Sequence, residues 1–198
     1  GFLAWTGWIS LTDSTLLPTG GFAGLARYRE LFSNERWLVA LKNLFLFSGL
    51  FIGISMGLGL FLAILMDQRI RMEGALRSIF LYPMALSFIV TGTAWKWMLN
   101  PGTGLEKLLV DAGWSGFAFD WLMNPEKSIY TVVIAGVWQS TGFVMAMFLA
   151  GLRGIDSNLI HAAQIDGASS RQISLKVVLP GLGPTFFGCW MILCHIAI

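Results

Sequence analysis

The chain predicts an all-α fold, a polytopic transmembrane helical bundle, on three observations. Of its 198 residues, 56% are hydrophobic and 12% charged, where soluble domains carry about 25% charge. Mean hydropathy is +0.69. Stretches free of Asp, Glu, Lys and Arg recur at lengths that cross a ~30 Å hydrocarbon core. The net charge of +2 is too small to argue for nucleic acid, and no basic stripe accompanies the tryptophans. Cys189 and Cys194 lie five apart in one apolar run, as packing residues rather than a disulfide or metal pair.

Taken in order, Gly1–Leu11 is too short to span and is expected to be the end of a first helix, with Trp5 and Trp8 at the interface. The chain starts inside this apolar stretch and stops inside another at Ile198. A piece of a longer domain is therefore expected, short of an N-terminal segment and at least one further helix. Thr12–Lys42 is polar. Residues 43–66 carry no charge and predict the first complete transmembrane helix. Gly49, Gly53 and Gly57 fall on one face of it and are expected to pack closely within the bundle. Asp67–Arg77, with Arg69, Arg71 and Arg77, is a short charged loop. The next helix is expected over 78–97, bent by Pro83, which frees a carbonyl. Asn100–Lys127 is turn-rich, and Trp95, Trp97, Trp114 and Trp121 around it predict an interfacial aromatic belt. Residues 128–152 predict another helix, whose centre, Trp138-Gln139-Ser140-Thr141-Gly142, puts polar groups at mid-bilayer depth. Residues 177–198 form the last apolar run, with Pro180, Pro184 and His195.

Between these last two runs, residues 153–176 are polar yet not loop-like. Asp156 is placed to cap a helix N-terminus. Leu159, Ile160 and Ala163 repeat at one-turn spacing, so a narrow apolar face is expected. Gly167 can adopt the left-handed conformation that ends a helix, and Ser169 with Gln172 has capping-box spacing. The pattern predicts helix, tight turn, helix, with a first helix too short and polar to cross a bilayer.

This segment resembles the EAA loop of binding-protein-dependent ABC importer permeases, through Ala162, Ala163, Asp166, Gly167 and Ala168, then Leu179-Pro180 and Pro184. His161 stands where that family usually has Glu. The Asp-Gly-Ala form is similar to the carbohydrate, maltose-permease-like branch. Gly24-Leu25-Ala26-Arg27-Tyr28-Arg29 resembles the Gly-Leu-x-Asn-Tyr stretch of sugar permeases, with Arg27 where Asn is common. Leu81-Tyr82-Pro83 through Trp95 and Trp97 also resembles them.

The resemblance implies an importer-type permease core in the inner membrane. The loop at 153–176 would be its cytoplasmic coupling loop, touching an ATPase subunit through Asp156, Leu159, Ile160, His161, Ala162, Ala163, Asp166 and Gly167. It implies as partners a second permease subunit, two ATP-binding subunits and an extracytoplasmic solute-binding protein, in contact with membrane lipid. No cofactor is expected on this chain, with ATP and Mg on the partner subunits. It further implies a solute path along Met84, Phe88 and Thr91, then Gln139, Ser140 and Phe143, then Cys194 and His195. Aromatic faces suit the C–H side of a sugar, and amide or hydroxyl groups suit its O–H side. Arg77–Pro83 and Phe148-Leu149-Ala150-Gly151-Leu152 resemble uptake systems for glucose-like monosaccharides. A disaccharide, polyol or glycerol phosphate permease is the alternative.

Topology follows by alternation. With 150–176 cytoplasmic, 67–77 is too, and together they hold six Lys/Arg against four acids, where the outer segments hold seven against seven. No catalytic constellation accompanies this. There is no Gly-x-x-x-x-Gly-Lys-Ser/Thr phosphate loop, so the chain is not expected to be an enzyme. His161 and His195 have no acid or cysteine at metal-ligand spacing. A membrane-embedded enzyme would need acids inside the apolar runs, and a pure scaffold would not need polar groups at their centres.

Overall fold

A computed structural model describes residues 1–13, 21–68 and 70–198. Residues 14–20 of the polar section and Arg69 of the charged loop lie outside the described residues. Among the described residues the regular structure is helical, apart from one isolated antiparallel bridge between Thr12 and Phe22. The backbone divides into two compact units, Gly1–Phe45 and Leu46–Ile198.

In the first unit, α1 (Phe2–Ser10) and α2 (Ala26–Ser33) precede the start of α3 (Glu35–Met66). Gly24, at φ +57°, makes the turn into α2 while its N–H bonds the Leu11 carbonyl at 3.0 Å. Arg27 pairs with Asp13 and Glu30, and Tyr28 donates its hydroxyl to Ser10 Oγ at 2.7 Å. The helix expected over 43–66 begins at Glu35 instead. Charges at Glu35, Arg36 and Lys42 end the apolar span but not the backbone ladder. The Asn34 side chain accepts from the Arg36 N–H at 2.9 Å, and Glu35 suits the positive end of the helix dipole. At 32 residues α3 is about 48 Å long, more than a hydrocarbon core requires.

The second unit is built around α7 (Ser128–Arg153). Packed against it are α4 (Glu73–Leu81), a 3₁₀ turn over Tyr82–Ala85, α5 (Phe88–Met98) and α11 (Gly183–Ala197). Val144, Met145, Phe148 and Leu149 of α7 are buried with Phe51, Ala63 and Met66 of α3, and with Leu182, Cys189 and Leu193. Between membrane helices such contacts stabilise through close van der Waals packing, because lipid tails are as apolar as the side chains. Close approach sets where glycine is needed. A side chain at Gly142 would strike the Phe80 carbonyl, and one at Gly59 would lie 2.5 Å from Val144 Cγ1. A side chain added at Gly49, Gly53 or Gly57, expected to pack inside the bundle, would meet no other helix within 4 Å among the described residues. The residue that brings α3 onto α7 is Gly59, which belongs to no glycine pattern.

The single helix expected over 78–97 is two segments bent by 99°. Pro83 sits buried in the 3₁₀ turn, but the chain turns three residues later, where Leu86 and Ser87 are extended. The Ser87 side chain then accepts from the Ile89 N–H and starts α5. The run expected as one helix over 177–198 is likewise composite. It comprises α9 (Ser170–Ile173), a π-helical turn over Ser174–Val178, α10 (Leu179–Gly181) and α11, with a 54° bend. Pro180 has no N–H to give, and the Leu179 N–H reaches back five residues to the Ser174 carbonyl, widening the turn. Pro184 falls at the start of α11, where a missing N–H costs little. A short helix α6 (Leu105–Asp111) lies in the turn-rich segment, where Glu106 accepts from the Phe119 N–H at 3.1 Å. The tryptophans expected as a belt are split between separate ring contacts: Trp95 meets Trp138 edge-on at 5.9 Å, and Trp121 meets Tyr130 at 5.9 Å.

Candidate coupling helix and solute path

After α7 the chain runs into α8 (Ser157–Ile165). The Asp156 carboxylate accepts from the Asn158 N–H at 2.9 Å, satisfying one of the free donors of the first turn. At the far end Gly167 takes φ +78°, its N–H bonds Gln164 O at 3.0 Å, and the Ala168 N–H bonds Ala163 O at 3.0 Å. This paired closure fixes the exit direction of the chain. The Ser169 and Gln172 side chains and backbones then bond reciprocally and start α9. A nine-residue helix is thus closed at both ends by its own sequence, as a rigid unit on short joints.

The offered face differs from the expected one. Ile160 and Ala163 are half-buried, turned back toward the chain. Leu159 is 57% exposed, Ile165 is 86% exposed, and Ala162 lies exposed between them at three-residue spacing. Ile165 was not among the expected contacts, although the same spacing rule would have reached it from Leu159 and Ala162. His161 lies outward with Nδ1 3.3 Å from Gln164 Oε1, and Asp156, Asp166 and Gly167 are also exposed. A 320 Å³ notch behind the helix is lined by Ala163, Asp166, Gly167, Gln172 and Lys176, among others.

The expected path residues are scattered in burial. Thr91, Gln139 and Ser140 are buried, Phe143 and Cys194 are half-buried, and Met84, Phe88 and His195 are exposed. Gln139, 4% exposed, donates Nε2 to the Leu86 carbonyl at 2.8 Å, so its amide holds the extended corner between the 3₁₀ turn and α5. Thr91 lines a 190 Å³ cavity with Leu86, Trp95 and Trp138, close to the same corner. A 490 Å³ cleft is bounded by α3, α4, the 3₁₀ turn and α7 through residues such as Ile54, Phe80, Pro83, Trp138 and Thr141, and none of the eight expected residues lines it.

A charged cluster at the ends of the helices went unanticipated. Arg153, the last residue of α7, has Nη1 2.8 Å from Glu73 Oε1 and Nε 3.5 Å from Asp67 Oδ1, and donates Nη2 to the Met66 carbonyl at 3.4 Å. Arg77 reaches Glu73 Oε1 at 3.1 Å. Glu73 is the first residue of α4 and Arg153 the last of α7, at the helix ends beyond their charge-free stretches. The hydrogen bond from Arg153 is the main influence holding the Glu73 carboxyl below its ordinary range. The charges of Arg153 and Arg77 add to it, against partial desolvation.

The described residues thus form a bundle with apolar candidate spans, two of them broken, and a capped surface helix between two of them. A family model described as the binding-protein-dependent transport system inner membrane component matches residues 49–189. A probable ABC transporter permease protein of Pyrococcus horikoshii is 38% identical over 193 residues, covering 96% of this chain and 66% of that protein. A xylose/arabinose import permease protein of Haloferax volcanii is 35% identical over 177 residues, covering 88% and 55%. A solved bacterial ABC transporter involved in the import of the acidic polysaccharide alginate superposes with a TM-score of 0.78. Its 22% identity, over 97% of this chain and 65% of that one, makes the likeness one of fold. The chain belongs to the family of binding-protein-dependent ABC transporter inner-membrane permeases. It spans roughly three fifths of the length of the relatives named here.

Proposed function

We propose that this chain is the permease subunit of an ATP-binding-cassette importer and forms the membrane path for a sugar, a glucose-like monosaccharide in the first instance. The observation that carries this is α8: a rigid surface helix, capped at both ends, between two spans, with Leu159, Ala162 and Ile165 free for a partner. The spans are α3, the bent pair α4–α5, α7, and the run from 177 through α10 and α11, with 153–176 as the cytoplasmic coupling loop. ATP and Mg are held by two ATP-binding partner subunits. A second permease completes the path, and an extracytoplasmic binding protein delivers the solute.

Closure of the ATP-binding subunits moves α8 as one piece, because its capped ends leave no slack within it. The motion passes into α7 through Arg153 and into α11 through α9 and the π-helical turn. The broken spans expose backbone where a solute can be met. Around the corner at Leu86–Ser87, Thr91, Gln139 and Ser140 are the polar groups for solute hydroxyls. Phe88 and Phe143 offer aromatic faces, with Met84, Cys194 and His195 further along.

The test is Ala162→Arg in the intact transporter. A bulky charge on the small outward face is expected to cut ATP-dependent uptake of a labelled sugar by about tenfold or more, equivalent to about 1.4 kcal/mol per decade. The amount of chain in the membrane should stay the same. Uptake at the wild-type level would remove the docking role. A panel of labelled glucose, xylose, maltose, a polyol and glycerol phosphate identifies the solute.

A further inference from the structure

We infer that Arg153, Asp67 and Glu73 form an ionic strap that carries the motion of the coupling helix sideways into α3 and α4. The inference rests on the coupling role assigned to α8 above. Three helix ends meet at this point. The carboxyl ends of α3 and α7 both carry partial negative charge from their unpaired carbonyls, and the amino end of α4 carries partial positive charge. Two negative ends repel unless a cation stands between them. Arg153 is that cation, and its planar guanidinium serves several acceptors at once. Two of its nitrogens reach the Glu73 and Asp67 carboxylates at 2.8 and 3.5 Å, and a third donates to the terminal Met66 carbonyl at 3.4 Å.

Position makes the cluster more than surface decoration. Arg153 is three residues before Asp156, the cap of α8, so it moves with the base of the coupling helix. Beside it, Leu60, Ile64, Asp67, Leu152, Ser174 and Val178 line a 350 Å³ groove that separates the end of α3 from the π-helical turn. The return leg of the loop therefore stands off from α3 there, while the guanidinium reaches across from α7. An isolated exposed ion pair contributes little to stability. A tie between moving parts acts differently, by fixing which elements travel together.

The experiment compares Arg153→Gln, Arg153→Lys, Glu73→Gln and the control Arg71→Gln in the reconstituted transporter. The readout is sugar taken up per ATP hydrolysed, with the labelled sugar that the wild type accepts from the glucose, xylose and maltose panel. Arg153→Gln and Glu73→Gln are expected to lower that ratio about tenfold while hydrolysis continues. Arg153→Lys, which keeps the charge, should recover at least half, and Arg71→Gln should match wild type. A wild-type ratio in Arg153→Gln, or Arg153→Lys as impaired as Arg153→Gln, overturns the strap. Loss of membrane-inserted chain in both neutral variants would assign the cluster to folding and overturn it equally.

A second measurement needs no transport. Spin labels at Gln68 and Ser157, with Cys189 and Cys194 replaced by alanine, should give one narrow distance distribution, broadened by Arg153→Gln. An unchanged distribution overturns the strap whatever the transport result. Absence of any ATP-dependent uptake by the wild type would instead remove the coupling role of α8.

Discussion

At the scale of single residues, what separates one glycine from another is the neighbour it faces. Gly142 lies against the Phe80 carbonyl, a backbone atom that cannot swing aside, whereas Gly53 has open space around it. Gly142→Ala is therefore expected to cost about 1–3 kcal/mol through overpacking. Gly53→Ala should leave stability unchanged or raise it by about 0.5–1 kcal/mol, since alanine favours the helix. Thermal unfolding of the purified permease checks both, and equal midpoints for the two variants would contradict the packing described. The periodic stripe was legible in the sequence, but no described residue faces it, because spacing identifies a face and not what stands opposite it. Gly59 belongs to a different stripe, the small residues Ser55, Gly59 and Ala63 four apart, which a search for glycines alone passes over. The caps were different: Asp156, Gly167, Ser169 and Gln172 act on backbone within a few residues, so their geometry was readable from local spacing alone.

At the scale of elements, the spans were legible as apolar runs and their interruptions only in part. Pro83 signalled a bend. The 99° corner lies beyond it at Leu86–Ser87 and is stabilised from another helix, by the Gln139 amide on the Leu86 carbonyl. A bond between residues 53 positions apart leaves no mark in local sequence. Gln139→Leu keeps the shape and removes the donor, leaving that carbonyl unpaired at a cost of about 1–3 kcal/mol. Amide exchange over residues 86–91 should accelerate while exchange in the middle of α8 stays as in wild type. If residues 86–91 exchange as slowly as before, Gln139 does not hold the corner. The surface helix at Ser157–Ile165 was legible from its caps, and of the apolar residues named on it Leu159 and Ala162 are exposed while Ile160 and Ala163 are half-buried. Ala163 shares a notch with Gln172 and Lys176 of the returning chain, a neighbour that helical spacing alone does not reveal.

At the scale of the whole molecule, composition sufficed for a helical membrane bundle, and the loop at 153–176 sufficed for the permease family. The cluster joining three helix ends was not legible, because Asp67, Glu73 and Arg153 read as ordinary flanking charges until the helices converge. Its acid response follows from Glu73. Because its carboxyl is held below the ordinary range when folded, its contribution is complete above that range and is lost as pH falls through the lowered value. The spin-label distance between positions 68 and 157 should thus stay narrow at neutral pH and broaden only once the pH has fallen below the ordinary carboxylate range. Broadening already near pH 6 would place another group in control. The π-helical turn at Ser174–Val178 has a consequence of its own. It stores one amino acid beyond what regular winding would use. Passing that surplus toward α11 would turn the stretch it crosses by about 100°. Leu182 and Thr185, now pressed toward Gly151, would rotate away and a fresh stripe would take their place.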